Sequence, residues 1–263
     1  MAEPELNNDA KEQPLIEHLL ELRDRILRSL LMVAVIFLSL FAFSNDIYTF
    51  VSAPLTQVLP EGARMIATQV TSPFFAPFKL TLVVSVFLAI PFLLHQAWAF
   101  ISPGLYKNEI SIAFPILLSS VILFYLGVAF AYYVVFGFIF AFFTSVGPSD
   151  VTIMTDISSY LDFVLALFFA FGLTFEIPVA TVLLIFSGVT TPADLSKKRP
   201  YVIVCCFVVG MLLTPPDPIS QSMLAIPMWM LFEVGILAGR LLYHPDPDTE
   251  PDTEKEQTRE ESR

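Results

Sequence analysis

Forty consecutive residues, Ile110 to Ser149, carry no formal charge. No soluble fold hides so long a stretch, whereas a bilayer core accepts a helix of about 20 predominantly apolar residues. Forty exceed one upright crossing, so the run reads as a long tilted helix over about 112–141 with short flanks. The same criterion finds five more crossings, at about 26–44, 78–99, 160–186, 200–214 and 219–238. Pro91 is expected to interrupt the second, and the last two look short. The runs are apolar on every side, without the alternation of a barrel strand. Helices that satisfy their own backbone are therefore expected. The fold class is an all-α polytopic membrane protein with six transmembrane helices.

Composition fits a chain that meets lipid over most of its surface: 56% of residues are hydrophobic, 15% are charged, and mean hydropathy is +0.72. Soluble domains are closer to a quarter charged. The net charge of −11 belongs mainly to the ends. Residues 1–17 sum to −4, residues 244–263 to −5, and the body between to −2. The chain divides into an acidic N-terminal tail, 1–12, a membrane domain, 13–240, and an acidic tail, 241–263, expected to be disordered. This balance gives no reason to expect a nucleic-acid partner.

Lysines and arginines set the orientation. With six crossings, both termini share a side with loops 100–111 and 187–200. That side holds twelve of the fourteen bases; the other holds Arg64 and Lys79. Both termini are thus expected in the cytoplasm (N-in, C-in). Residues 15–25 form an amphipathic helical pattern leading into the first crossing, with Glu21–Arg25 and Asp24–Arg28 as expected pairs. Glu109 stands at the mouth of the third helix, where an acid favours the helix dipole. Glu21 and Glu109 together suit a ligand that presents guanidinium groups.

Glu176 is the strongest anomaly. It lies inside the fourth crossing, beside Pro178, which is expected to bend the helix. An acid at that depth is a functional residue by default. Thr214 and Gln221 offer polar groups beside Pro215-Pro216-Asp217-Pro218, which closes a tight outer turn. Gly235 and Gly239 form a small-xxx-small pattern that is frequent by chance. Cys205 and Cys206 read as packing residues. No motif of a metalloenzyme, hydrolase or phosphate-binding enzyme occurs, so neither catalysis nor a cofactor or metal is expected.

Several blocks together resemble one family. They are His18-Leu19-Leu20-Glu21-Leu22-Arg23, Ala67-Thr68 with Ser72-Pro73-Phe74-Phe75, and Trp98-Ala99-Phe100-Ile101 through Glu109. Phe175-Glu176-Ile177-Pro178, Lys197-Lys198-Arg199-Pro200-Tyr201 and Gly210 through Asp217 continue the series. In order and spacing they resemble the TatC family, the six-span core subunit of the twin-arginine protein translocase. The resemblance implies a curved, glove-like bundle in a bacterial inner membrane. It implies recognition of twin-arginine signal peptides of folded precursors through Glu21, Arg23, Phe100, Leu105, Tyr106, Lys107 and Glu109. Met211, Thr214 and Gln221 match contact positions for the single-span partners TatA and TatB. Pro54, Ser72, Pro73, Phe74, Pro215 and Asp217 match outer-loop positions. A multimeric receptor, driven by the proton-motive force without nucleotide, is implied as well. Ile110, Ser111 and Ile112 replace the basic residues frequent in relatives. The alternative function is a small-solute secondary transporter using Glu176 as proton carrier, which would need a second ionisable partner at midplane.

Overall fold

The first apolar run extends well before its expected start, because the amphipathic pattern of residues 15–25 continues it without a break. In the computed structural model, which describes residues 9–58, 65–101, 110–146, 154–214 and 218–242, helix α1 spans Asp9–Leu40. A 3-10 turn, Phe41–Phe43, joins it to α2, Ser44–Val58. The other elements are α3 (Ser72–Ile101), α4 (Ile110–Phe130), α5 (Phe136–Val146), α6 (Ile157–Thr174), α7 (Ile177–Phe186), α8 (Pro192–Lys197), α9 (Arg199–Leu213) and α10 (Pro218–Leu242). A π-helical turn, Ala131–Val135, makes α4 and α5 one continuous rod. Among the described residues five helical stretches are long and apolar enough to cross a membrane, and α9 is a shorter apolar helix. The protein is an all-helical multi-span membrane protein.

Two expectations about length are corrected. The last crossing is not short: α10 has 25 residues, since Arg240 stays in the helix and reaches the Ser196 hydroxyl at 2.8 Å. The second is not interrupted, because α3 runs through both Pro77 and Pro91. Pro91 has no N–H for the carbonyl four residues back. That carbonyl, of Phe87, instead accepts the Tyr125 hydroxyl at 3.0 Å. The device recurs at Pro54 in α2, which frees the Phe50 carbonyl for the Tyr132 hydroxyl at 3.0 Å. Beside it, Tyr160 donates to the Val51 carbonyl at 3.1 Å. Backbone groups in hydrocarbon must be satisfied internally, and tyrosines from neighbouring helices do it here.

The packing is a chain of helix pairs. Helix α1 lies on α3, α3 on α6, α4 on α6, and α10 on both α7 and α9. The main core is aromatic, with Phe87, Phe124, Phe136, Phe168 and Phe171 around Leu80, Ile139 and Val164. A second cluster joins Ile185, Leu195, Phe232 and Ile236. Much of the outer surface is apolar: in α1 alone, Leu30, Leu31, Val35 and Leu38 are exposed. Such surface is the signature of a lipid-facing wall.

Candidate functional site

At one end of the molecule α1 and α3 are latched together. Residues 18, 21 and 25 recur at helical spacing, so one face of α1 presents His18, Glu21 and Arg25 to the last turn of α3. His18 stacks on Phe100, with ring centroids 4.2 Å apart and planes 17° from parallel. Arg25 donates through Nε and Nη2 to Glu21 Oε1, and through Nη2 to the Ala99 carbonyl at 3.0 Å. Gln96 Oε1 lies 3.4 Å from its Nη1. The expected Glu21–Arg25 pair is present. The expected Asp24–Arg28 pair is not: Asp24 takes both Nε and Nη2 of its neighbour Arg23, which reaches the same oxygen without a helical turn between them. Arg23 and Asp24 are exposed, so this pair adds little stability. Leu105, Tyr106, Lys107 and Glu109 lie outside the described residues.

Glu176 sits in a break. The Phe175 N–H still reaches the Phe171 carbonyl at 2.9 Å, but the Glu176 N–H tightens onto Leu173 at 3.1 Å. Pro178, in the first turn of α7, cannot donate back across the gap. The bend expected of Pro178 is therefore a two-residue interruption between α6 and α7. One carboxyl oxygen, Oε1, is buried without a hydrogen-bond partner among the described residues, and Ser120 of α4 lies beside the Glu176 side chain. The crossing of α7 by α10 lies immediately beyond. A Cβ at Gly235 would lie 2.9 Å from the Pro178 Cα and 3.0 Å from Thr181, and one at Gly239 would strike Ile185. The small-xxx-small pattern is thus a contact within the chain, although its frequency by chance gave it little weight in the sequence.

At the opposite end Asp156 ties two connections together. Its backbone bridges Ile66, with the Ile66 and Ile157 N–H groups donating across the pair at 3.0 and 2.9 Å. Its carboxylate caps α6 through the Ser159 N–H at 3.0 Å and receives the Thr68 N–H and hydroxyl at 3.0 and 2.8 Å. These bonds, the Ser159 N–H first, hold the Asp156 carboxyl far below the usual carboxylate range. Ser158 donates to buried Ser72 at 2.8 Å. Pro73 fits the first turn of α3, where a missing N–H costs nothing. Phe74 is exposed and packs edge-on to Phe75. Lys79 of α3 pairs with Asp162 of α6. Asp156 escaped the sequence reading, though Asp-x-x-Ser before an apolar run is a helix-start signal. Pro54 lies in α2, and Pro215 and Asp217 lie outside the described residues.

The α9–α10 hairpin is fastened by its own polar groups. Gln221 Nε2 of α10 donates to the Phe207 carbonyl of α9 at 2.7 Å, while buried Thr214 at the end of α9 returns its hydroxyl to Gly210 of that same helix at 2.9 Å. Met211 is exposed beside them. At the other end of the hairpin Arg199 and Glu233 form a two-bond fork, Nε–Oε1 and Nη2–Oε2 both at 2.7 Å. Glu233 is an acid inside the sixth apolar run that the sequence reading passed over. The signal that singled out Glu176 applies equally to it.

A broken apolar span, a latch at one end, a clasp at the other and a lipid-facing wall define a multi-span membrane protein. A family model described as Sec-independent protein translocase protein (TatC) matches residues 17–227. The chain is 58% identical to the TatC of Haemophilus influenzae over 92% of its own length and 94% of the relative's. It is 59% identical to the TatC of Escherichia coli K12, over 87% of this chain and 88% of that one. A crystal structure described as the twin arginine translocase receptor TatC superposes with a TM-score of 0.76 at 36% identity, over 85% of this chain and 98% of that chain. A second crystal structure of that receptor, in a detergent, gives 0.78 at 35% identity. The chain belongs to the TatC family: it is a protein-translocase subunit and not an enzyme.

Proposed function

We propose that this chain receives twin-arginine signal peptides at the face formed by the start of α1 and the end of α3, and hands folded precursors to single-span TatA- and TatB-like partners for export driven by the proton-motive force. One observation carries the reading. The Glu21 carboxylate and the Ala99 carbonyl already bind a guanidinium, that of Arg25. A peptide arginine would meet the same acceptors. His18 on Phe100 supplies the apolar floor beside them. Leu105, Tyr106, Lys107 and Glu109 follow the end of α3 in the sequence and belong to the same proposal. The excess of lysine and arginine there supports a cytoplasmic location in a bacterial inner membrane, with both termini inside. Met211, Thr214 and Gln221 are the proposed partner contacts, supported by the exposure of Met211 beside two polar side chains. Self-association into a multimeric receptor is part of the same proposal. Glu176 is proposed to meet partner or lipid from within the broken span.

The test is photo-crosslinking of a twin-arginine peptide to membranes holding the chain. Glu21→Lys with Glu109→Lys is expected to abolish the adduct, and a twin-lysine peptide to weaken it. Undiminished crosslinking in the double variant would refute the site.

A further inference from the structure

A cavity of about 500 Å³ opens between α9 and α10 at the end where α9 begins and α10 finishes. Its walls are Trp229, Met230, Val234, Ile236 and Leu237, and its mouth holds Arg199, Glu233 and Arg240. Two facts about it need a common explanation. The mouth has two cations and one anion. Arg199 spends Nε and Nη2 on Glu233, and Arg240 uses Nη2 on Ser196, so both guanidinium groups keep donors outside those bonds. Lys198 precedes Arg199 and is exposed, which raises the local excess of positive charge. The walls are apolar and turned outward: Met230 is 57% exposed, Val234 53% and Leu237 58%. Beside them the indole N–H of Trp229 is buried with no acceptor among the described residues.

A small soluble anion would satisfy the cations and leave the apolar walls bare. An aliphatic chain alone would fill the walls and leave the guanidinium donors facing hydrocarbon. An acyl chain that carries a phosphate satisfies both. Basic pockets between helices, at the level where spans leave the bilayer, suit anionic headgroups. Guanidinium groups match phosphate oxygens in pairs. We propose that this groove holds one anionic phospholipid, its phosphate on Arg240 and the free edge of Arg199, its chain along Trp229, Val234 and Leu237. Assigning it to the cytoplasmic leaflet rests on the orientation proposed above; the binding itself does not.

The chain contains two tryptophans, Trp98 and Trp229, so Trp98→Phe leaves the groove residue as sole reporter. The full chain carrying that change goes into phosphatidylcholine nanodiscs doped with phosphatidylglycerol or phosphatidylcholine brominated on the acyl chain. Phosphatidylglycerol is expected to quench Trp229 at about fivefold lower mole fraction, the contribution of one base near the surface. Arg240→Gln, which leaves the Arg199–Glu233 fork intact, is expected to bring the two lipids to parity. Lys79→Gln at the opposite end is expected to leave the preference unchanged. Equal quenching by both lipids in the parent, a preference that survives Arg240→Gln, or one lost equally in Lys79→Gln overturns the proposal. Quenching by neither lipid also overturns it, by placing a protein helix over the groove.

Discussion

Tyr125→Phe removes a single oxygen, and its cost is expected to depend on a proline in another helix. Phe87 lies near the middle of α3, far from water at either end. Its carbonyl lacks the usual helical donor because position 91 is proline, and it accepts the Tyr125 hydroxyl at 3.0 Å instead. Deleting the hydroxyl leaves a carbonyl in hydrocarbon with nothing to bond, at a cost of about 1–3 kcal/mol. Side-chain bonds between membrane helices measure lower, about 0.6 and up to about 1.7 kcal/mol, so roughly 1 kcal/mol is the working figure. Pro91→Ala returns an N–H to the position four residues on, and the helix can then close its own bond. In that background Tyr125→Phe should cost only a few tenths of a kcal/mol, since the carbonyl has an alternative donor. The assay is a double-mutant cycle on reversible unfolding in mixed detergent micelles, with coupling of about 1 kcal/mol between the two sites. Zero coupling, with Tyr125→Phe costing the same in both backgrounds, would refute the claim that tyrosine replaces the missing donor.

At the α7–α10 crossing, Gly235→Leu forces a side chain into a 2.9 Å approach and is expected to destabilise by about 1–3 kcal/mol in the same unfolding assay. Gly137→Ala, at a site with open space around it, should be neutral, so equal losses would discount the close approach. The Asp156 clasp makes a pH prediction. A carboxyl whose folded pKa is depressed contributes fully above its unfolded value of about 3.9, and the contribution fades as pH falls from there towards the folded value. The gap in unfolding midpoint between the parent and Asp156→Ala should therefore stay constant from pH 8 to about 5 and narrow below about 4. A gap that narrows between pH 8 and 6 would show that another group governs it.

The membrane helices were legible because predominantly apolar runs of membrane length admit few other structures. Their ends were less so, for reasons located elsewhere in the chain. Pro91 reads locally as a stop, and the hydroxyl that cancels it comes from Tyr125 on another span. Arg240 reads as the end of an apolar run, yet Ser196 gives its guanidinium a partner and the helix carries on. Of the site, Glu176 stood out as a misplaced acid and Glu21 as one of two carboxylates at one membrane face, whereas Glu233 hid until its fork with Arg199 was visible. The stacking of His18 on Phe100 joins residues more than eighty positions apart, and no periodicity within either helix announces it.

The order in which the helices touch sets a timetable for synthesis. Helix α1 packs on α3, the next long crossing, so it needs only that neighbour for its latch to form. The broken span is less fortunate. Its packing partner α10 emerges roughly sixty residues later, a delay of about 3–12 s at ordinary translation speeds. Throughout that interval a nascent span with an acid at its break has α3 and α4 beside it, but its seam along Pro178 and Thr181 stays bare in the bilayer. This is the stage of its biogenesis at which an insertase or a quality-control protease has most to grip.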